Sequence, residues 1–237
     1  DLFNNLYVLR SPGIPGDTTA IYKLDQNGKI LGVYHNHLPS TNNYTDLAVD
    51  ASGNMYVADL TGGQIHKISS DNRHLGTIGS PGFGPGQLWM PLALAIDNTG
   101  ILHVLDYNGG RVQQFDTRGN FIRQFGKFSQ NDGGPVSKSD LALDSKGNIH
   151  VASNLSQRRY WVFNSKGDLL HEILDNKVNL IAIDRLGANL VLDDDQADGY
   201  SLYTADAYET PQSIIQGVVY DDVNNNCMFD EGERTLS

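Results

Sequence analysis

LALAIDNTGILHVLDYNGGRVQQFDTRGNFIRQFG, running from Leu92 to Gly126, decides the fold. It holds four apolar runs of strand length, LALAID, ILHVLDY, RVQQFD and FIRQFG, separated by NTG, NGG and TRGN. Leu, Ile, Val, Phe and Tyr suit a pleated, half-buried surface. Asp-x-x-Gly and Asn-Gly-Gly are turn chemistry, because Asp and Asn bond nearby backbone and Gly accepts left-handed angles. Apolar run, tight turn, apolar run, four times over, predicts a four-stranded antiparallel meander.

Working outward, the same unit precedes and follows. Asp50-x-x-Gly53, Asp97-x-x-Gly100, Asp144-x-x-Gly147 and Asp184-x-x-Gly187 close the first strand of successive copies, at spacings of 47, 47 and 40 residues. Second strands align as MYVAD, LHVLD, IHVAS and LVLDD, and third strands as QIHKIS, RVQQFD, YWVFN and YSLYTA. Fourth strands are LGTIG, FIRQFG and LLHEIL, and the last unit offers no clear counterpart. Asn4–Leu9 matches a second strand, and Ile21–Asp25 with Ile30–Tyr34 completes that unit, so the chain enters in mid-pattern, as a fragment or processed form would. A period of this length marks propeller blades and related arrays. No window carries a helical period. The expectation is all-β, with three full and two partial four-stranded blades over residues 1–210.

The stretch Gly79–Gly126, with its Gly-rich lead-in GSPGFGPGQ, Pro91, strands ending in Asp97 and Asp106, then RVQQFD and a closing Phe-Gly, resembles the NHL repeat. The resemblance implies a β-propeller, commonly six-bladed, whose faces bind ligands. The chain itself holds fewer than six units.

After Thr210-Pro211 the period stops, and residues 211–237 read as a linker and the start of a second module. Within GVVYDDVNNNCMFDEGE, Asp222, Asn224, Asn226, Asp230 and Glu233 take positions 1, 3, 5, 9 and 12 of a calcium loop. Met228 falls at position 7, where a backbone carbonyl is the ligand. Alternating oxygens wrap a hard cation and a bidentate Glu closes the shell, so a structural Ca2+ is expected. Cys227 stands where glycine makes the sharp turn. The competing reading is a solvated acidic turn. With the preceding strand, this segment resembles the opening of calcium-binding, prealbumin-like repeats of bacterial surface proteins. That implies an extracellular or cell-surface protein whose adjacent domains lie on the same polypeptide.

Lys and Arg number 17 against 28 Asp and Glu, for a net charge of −11, and a phosphate backbone is repelled by such a surface. Nucleic acid is therefore not an expected partner. One cysteine excludes an intrachain disulfide. No apolar run is long enough to span a bilayer.

For ligands, the segments leading into the first strands carry Tyr44, Trp89, Met90 and Lys138, candidate contacts for a protein, peptide or glycan on the propeller face. His103 and His150 occupy the same second-strand position as Tyr56, and that recurrence favours a shared packing role over a metal site. A rival reading is a metal-dependent hydrolase or lyase, gluconolactonase-like or virginiamycin B lyase-like, with Asp46, Asp140 and Asn179 lining the channel. Such residues more often satisfy strand-end backbone groups. The segments leading into the first strands contain no histidine, which weighs against the lyase. Asp193–Asp195 with Asp198-Gly199 reads as a solvated hairpin, and Gly79, Gly82, Gly84 and Gly86 as blade-to-blade turn chemistry. There is no Gly-x-Ser-x-Gly elbow. A non-catalytic binding module is the leading expectation.

Overall fold

A computed structural model describes residues 5–10, 19–35, 38, 43–107, 109–128, 139–152 and 159–172 in full. It describes the backbone alone at 153, 173–174, 178–183, 189–195, 199–204 and 214–215. Five antiparallel meanders follow one another. The first has three strands, β1 (Leu6–Arg10), β2 (Ala20–Leu24) and β3 (Ile30–Tyr34). The second comprises β4 (Tyr44–Val49), β5 (Met55–Asp59), β6 (Gln64–Ile68) and β7 (His74–Ile78). The third comprises β8 (Pro91–Ile96), β9 (Leu102–Asp106), β10 (Arg111–Phe115) and β11 (Phe121–Phe125). The fourth comprises β12 (Asp140–Leu143), β13 (Ile149–Ser153), β14 (Arg159–Phe163) and β15 (Leu169–Leu174). The fifth comprises β16 (Val178–Ile183), β17 (Asn189–Asp195), β18 (Gly199–Thr204) and β19 (Ile214–Ile215).

The all-β expectation holds, and the first sheet begins at its second strand as the alignment requires. The count of complete sheets differs from the sequence reading. Four sheets have four strands, because Ile214–Ile215 pairs with Leu202 and Tyr203 to complete the last one. A two-residue strand carries no periodicity to read, and this one lies beyond the point where the repeats stop.

Sheets join through their faces. Strand residues point alternately to opposite sides, so Met55 and Val57 pack toward the first sheet while Tyr56 and Ala58 pack toward the third. One apolar cluster forms between each successive pair of the first four sheets. Ile21, Tyr44, Met55, Val57 and Ile68 fill the first seam. Tyr56, Ile65, Ile78, Leu88, Leu102 and Phe115 lie in the second. Leu105, Val112, Ile149, Val151, Trp161 and Phe163 lie in the third. Coverage on both faces is why β5, β9 and β10 are buried throughout. Each fully buried Leu, Ile or Phe contributes roughly 1.5–3 kcal/mol. The first strands β4, β8, β12 and β16 contact one another in succession, as the inner strands of propeller blades do.

Antiparallel alternation gives the sheets two unlike ends. At one end lie the hairpins joining first to second and third to fourth strands, here termed the turn face. There the Asp50 carboxylate accepts the Ser52 and Asn54 N–H groups at 2.9 Å, and Gly53, at φ +79°, donates to the Asp50 carbonyl. The same arrangement recurs at Asp25, Asp97, Asp116, Asp144 and Asn164. At the other end, the loop face, lie the second-to-third hairpins and the segments between sheets.

Candidate functional site

The recurrent second-strand position belongs to the turn face. The Tyr56 hydroxyl meets the Asp50 carboxylate at 3.2 Å, His103 Nε2 meets Asp97 at 3.4 Å, and His150 Nε2 meets Asp144 at 3.3 Å. All three rings are buried. Each tethers a second strand to the carboxylate that builds the preceding turn, a packing role as the recurrence predicts. Burial raises the Asp97 and Asp144 carboxyls, but bonds from their histidines and turn N–H groups outweigh it and hold both below the usual range. Burial also depresses the His150 imidazole, against the pull of Asp144.

On the inner strands, Asp46 accepts the Leu47 N–H at 2.7 Å and the Leu94 N–H at 2.6 Å. Its carboxylate therefore ties the second sheet's inner strand to the third's. Burial pushes it up to about 6 against those two bonds, with Asp140 adding repulsion. Asp140 accepts the Leu141 N–H at 2.8 Å. The side chain of Asn179 and those of Asp193–Asp195 lie outside the described residues. Among the described residues, no group of three or more His, Cys, Asp or Glu is placed to hold a metal.

The loop face is built differently. Asp106, fully buried, accepts the Trp89 N–H at 2.8 Å, Arg111 Nε at 3.0 Å and Gln113 Nε2 at 3.2 Å. Arg111 Nη2 then donates to the Gly84 and Gln87 carbonyls, each at 3.0 Å, and Gln113 grips the Gln87 carbonyl and the Gly86 N–H. Leu88, fully buried, anchors the segment in the second seam. One charged cluster thus staples the Gly84–Trp89 part of the Gly79–Met90 segment onto β10.

That stapled segment presents a stacked aromatic pair. Phe83 and Trp89 lie with ring centroids 5.2 Å apart and planes at 22°, exposed to 62% and 41%. Gln87 Oε1 accepts the Gly84 N–H at 2.9 Å, which fixes the amide. Among the described residues, the Gln87 amide N–H groups and the Trp89 indole N–H have no protein partner. No residue from Gly79 to Ile96 is charged. Met90 sits at φ +65°, a conformation costly for a side-chain-bearing residue, and its carbonyl accepts the Tyr107 N–H at 3.2 Å. Together these make a rigid, neutral, half-apolar platform with two kinds of N–H donor.

Of the candidate contacts read from the sequence, Trp89 and Met90 fall on this platform. Tyr44 does not: at 4% exposure its ring packs in the first seam, edge-on to His66 at 5.9 Å. A bulge between Tyr44 and Leu47 sets that orientation. Lys138 and the calcium-loop residues Asp222, Asn224, Asn226, Met228, Asp230 and Glu233 lie outside the described residues. Phe83 and Gln87 escaped the sequence reading, although six uncharged residues around a Phe, PGFGPGQ, are a usable signal. In the fourth sheet, Arg159 holds the Arg111 position but pairs with Glu172 at 2.6 Å, beside a cavity of about 420 Å³ lined by Lys127, Phe128 and Trp161.

Sheets of this kind, joined through inner strands and shared seams, define a β-propeller. No family profile matches the chain, and no curated protein does. Solved structures similar to it include a Bacteroides caccae protein of unknown function, with TM-score 0.61 and 16% identity over 90% of this chain and 72% of that one. A streptogramin B lyase gives TM-score 0.60 and 15% identity over 86% of this chain and 72% of that one. A chain of a nidogen/laminin complex gives TM-score 0.60 and 15% identity over 84% and 73%. At these identities the likeness is one of fold. Among the described residues no helix is long and apolar enough to cross a membrane.

Proposed function

We propose that the chain is an NHL-type, non-catalytic propeller module of a secreted or cell-surface protein, binding an uncharged protein, peptide or glycan segment on its loop face. The observation that carries this reading is the Phe83–Trp89 stack, held at the surface by a buried Asp106–Arg111 pair. A ring pair already ordered before binding loses little entropy when a ligand covers it. Aromatic anchors of this sort dominate binding energy at interfaces. The nidogen/laminin structure is a precedent for a propeller of this shape in a protein complex. Arrays of neutral oligosaccharides and peptides, probed with the wild-type chain and Trp89→Ala, test the site. Binding should weaken at least about tenfold in the variant, and a ligand held equally by both defeats the assignment.

The tail belongs to the same reading. Asp222, Asn224, Asn226, the Met228 carbonyl, Asp230 and Glu233 would hold a structural Ca2+ that orders the junction with the following domain. Calcium should raise the melting temperature of a chain extended through that domain, and Glu233→Ala should abolish the rise. The rival hydrolase or lyase would show metal-dependent turnover of lactone or streptogramin substrates that disappears in Asp140→Ala. Asp46 spends both oxygens on backbone N–H groups, which favours the binding module.

A further inference from the structure

The second sheet carries a pair of histidines that the repeat itself does not call for. β6 and β7 are out of step by one residue between Lys67 and Ile68, so that Ile68 pairs with His74 and His66 with Thr77. His66 and His74 therefore share one face as diagonal neighbours, within reach of each other. His66 Nδ1 lies 3.3 Å from His74 Nε2. His66 is buried, while His74 is exposed to solvent. On its far side, His66 Nε2 meets Oδ2 of Asp59 at 3.2 Å, and that carboxylate is fully buried.

Register identifies the corresponding residues in other sheets. Gln113 and Phe121 stand at the two histidine positions in the third sheet, and Trp161 and Leu169 in the fourth. Neither histidine is needed to make a blade. The carboxylate differs too. Asp106, which matches Asp59, is paired with Arg111, whereas the Arg111 position in the second sheet holds Gln64. Asp59 instead faces an imidazole whose other nitrogen faces a second imidazole.

We infer that His66 Nδ1 and His74 Nε2 form a two-nitrogen chelate for a divalent transition ion such as Zn2+, with water completing the shell. Zinc binds imidazole nitrogen at about 2.0–2.1 Å in tetrahedral geometry. Two ligands on such an ion stand about 3.3 Å apart, the separation found here. Asp59 supplies the outer partner: it fixes the His66 proton on Nε2, leaves Nδ1 free to coordinate, and raises ligand basicity. Its buried negative charge favours a cation on the opposite side of the ring.

The test uses the full-length chain, freed of metal with chelator and titrated calorimetrically with ZnCl2, alongside His74→Phe and His66→Gln. These variants carry the residues the third sheet has at the same positions, and a melting curve without metal confirms that each folds. Zinc binding at one site per chain in the wild type, weakened at least about tenfold in both variants, is the expected result. Copper in place of zinc should give an electron paramagnetic resonance spectrum with coupling to two nitrogens, lost in His74→Phe. Absence of zinc binding in the wild type, or equal affinity in wild type and His74→Phe, would overturn the assignment. An adventitious ion on other histidines gives the second of these outcomes.

Discussion

The turn face and the loop face are made from the same strands yet obey different rules. On the turn face all but one of the described hairpins solve their own problem in one way: an Asp or Asn carboxyl or amide oxygen captures two backbone N–H groups, and a left-handed residue closes the turn. Even the exception conforms. Ser69 replaces the Asp, and Asn72, at φ +63°, replaces the glycine, a substitution that Asn tolerates better than most residues. On the loop face, conformation is imposed from a distance. Asp106 and Arg111 hold a segment some twenty residues away in sequence, and the pair is not repeated: Gln64 stands at the Arg111 position in the second sheet, and Arg159 in the fourth pairs with Glu172 instead. Local chemistry yields uniformity. Long-range chemistry permits variation, and the exposed platform sits where variation is permitted.

The most direct way to break this comparison is Asp106→Ala. It strands the buried Arg111 charge and releases the Trp89 N–H, so it should cost about 3–5 kcal/mol in denaturant unfolding. Asp116→Ala, an exposed carboxylate on the turn face, should lower the denaturant midpoint far less. If the two costs were equal, the distinction between the faces would collapse.

Glycine substitutions sharpen it. Gly110, at φ +58°, brings the chain against Phe128, whose N–H donates to its carbonyl at 2.7 Å; a Cβ there would run into the Phe128 carbonyl oxygen. Gly28 has a similar left-handed φ of +78° but open space around it. Gly28→Ala should lose about 1–2 kcal/mol from backbone strain alone. Gly110→Ala should lose more, by about 1–3 kcal/mol of steric cost, measured as the difference in urea midpoints.

Acid should act first on the turn face. The His150 contribution is complete above 6.5 and is lost as pH falls through its depressed value. Asp97 and Asp144 contribute fully above 3.8 and lose that contribution as pH falls through theirs. Asp46 has the opposite sign: raised to about 6, it stabilises most below 3.8 and least above 6. The turn-face groups should therefore lower urea midpoints as pH falls from neutral, and His150→Tyr, which copies Tyr56, should remove the part of the drop that sets in below 6.5.

The smallest effect belongs to the strained residue. Met90→Gly should stabilise by up to about 1 kcal/mol by relieving its left-handed backbone. The same change should weaken ligand capture, since the platform's footing becomes flexible. A Met90→Gly chain that melts lower than wild type would mean that Met90's side-chain packing outweighs its strain.

These contrasts explain what could be read from the sequence. Asp-x-x-Gly turns, the strands between them and the packing of His103 and His150 were all legible, because each depends on residues within one repeat. The fourth strand at Ile214–Ile215 was not, having too few residues to show a pattern. Tyr44 was misplaced because a bulge turns its ring into a seam. The Phe83–Trp89 stack was half seen, through Trp89 alone. His66, His74 and Asp59 left no linear signature: a one-residue slip between β6 and β7 makes them neighbours.

Each apolar seam belongs to two adjacent sheets and to no others. Damage to one therefore loosens a pair of modules and leaves the remainder standing, so the chain should come apart in stages. By the same logic a whole copy could be gained or lost in evolution with only two contact surfaces to reconcile, leaving an aromatic perch free to change its guest.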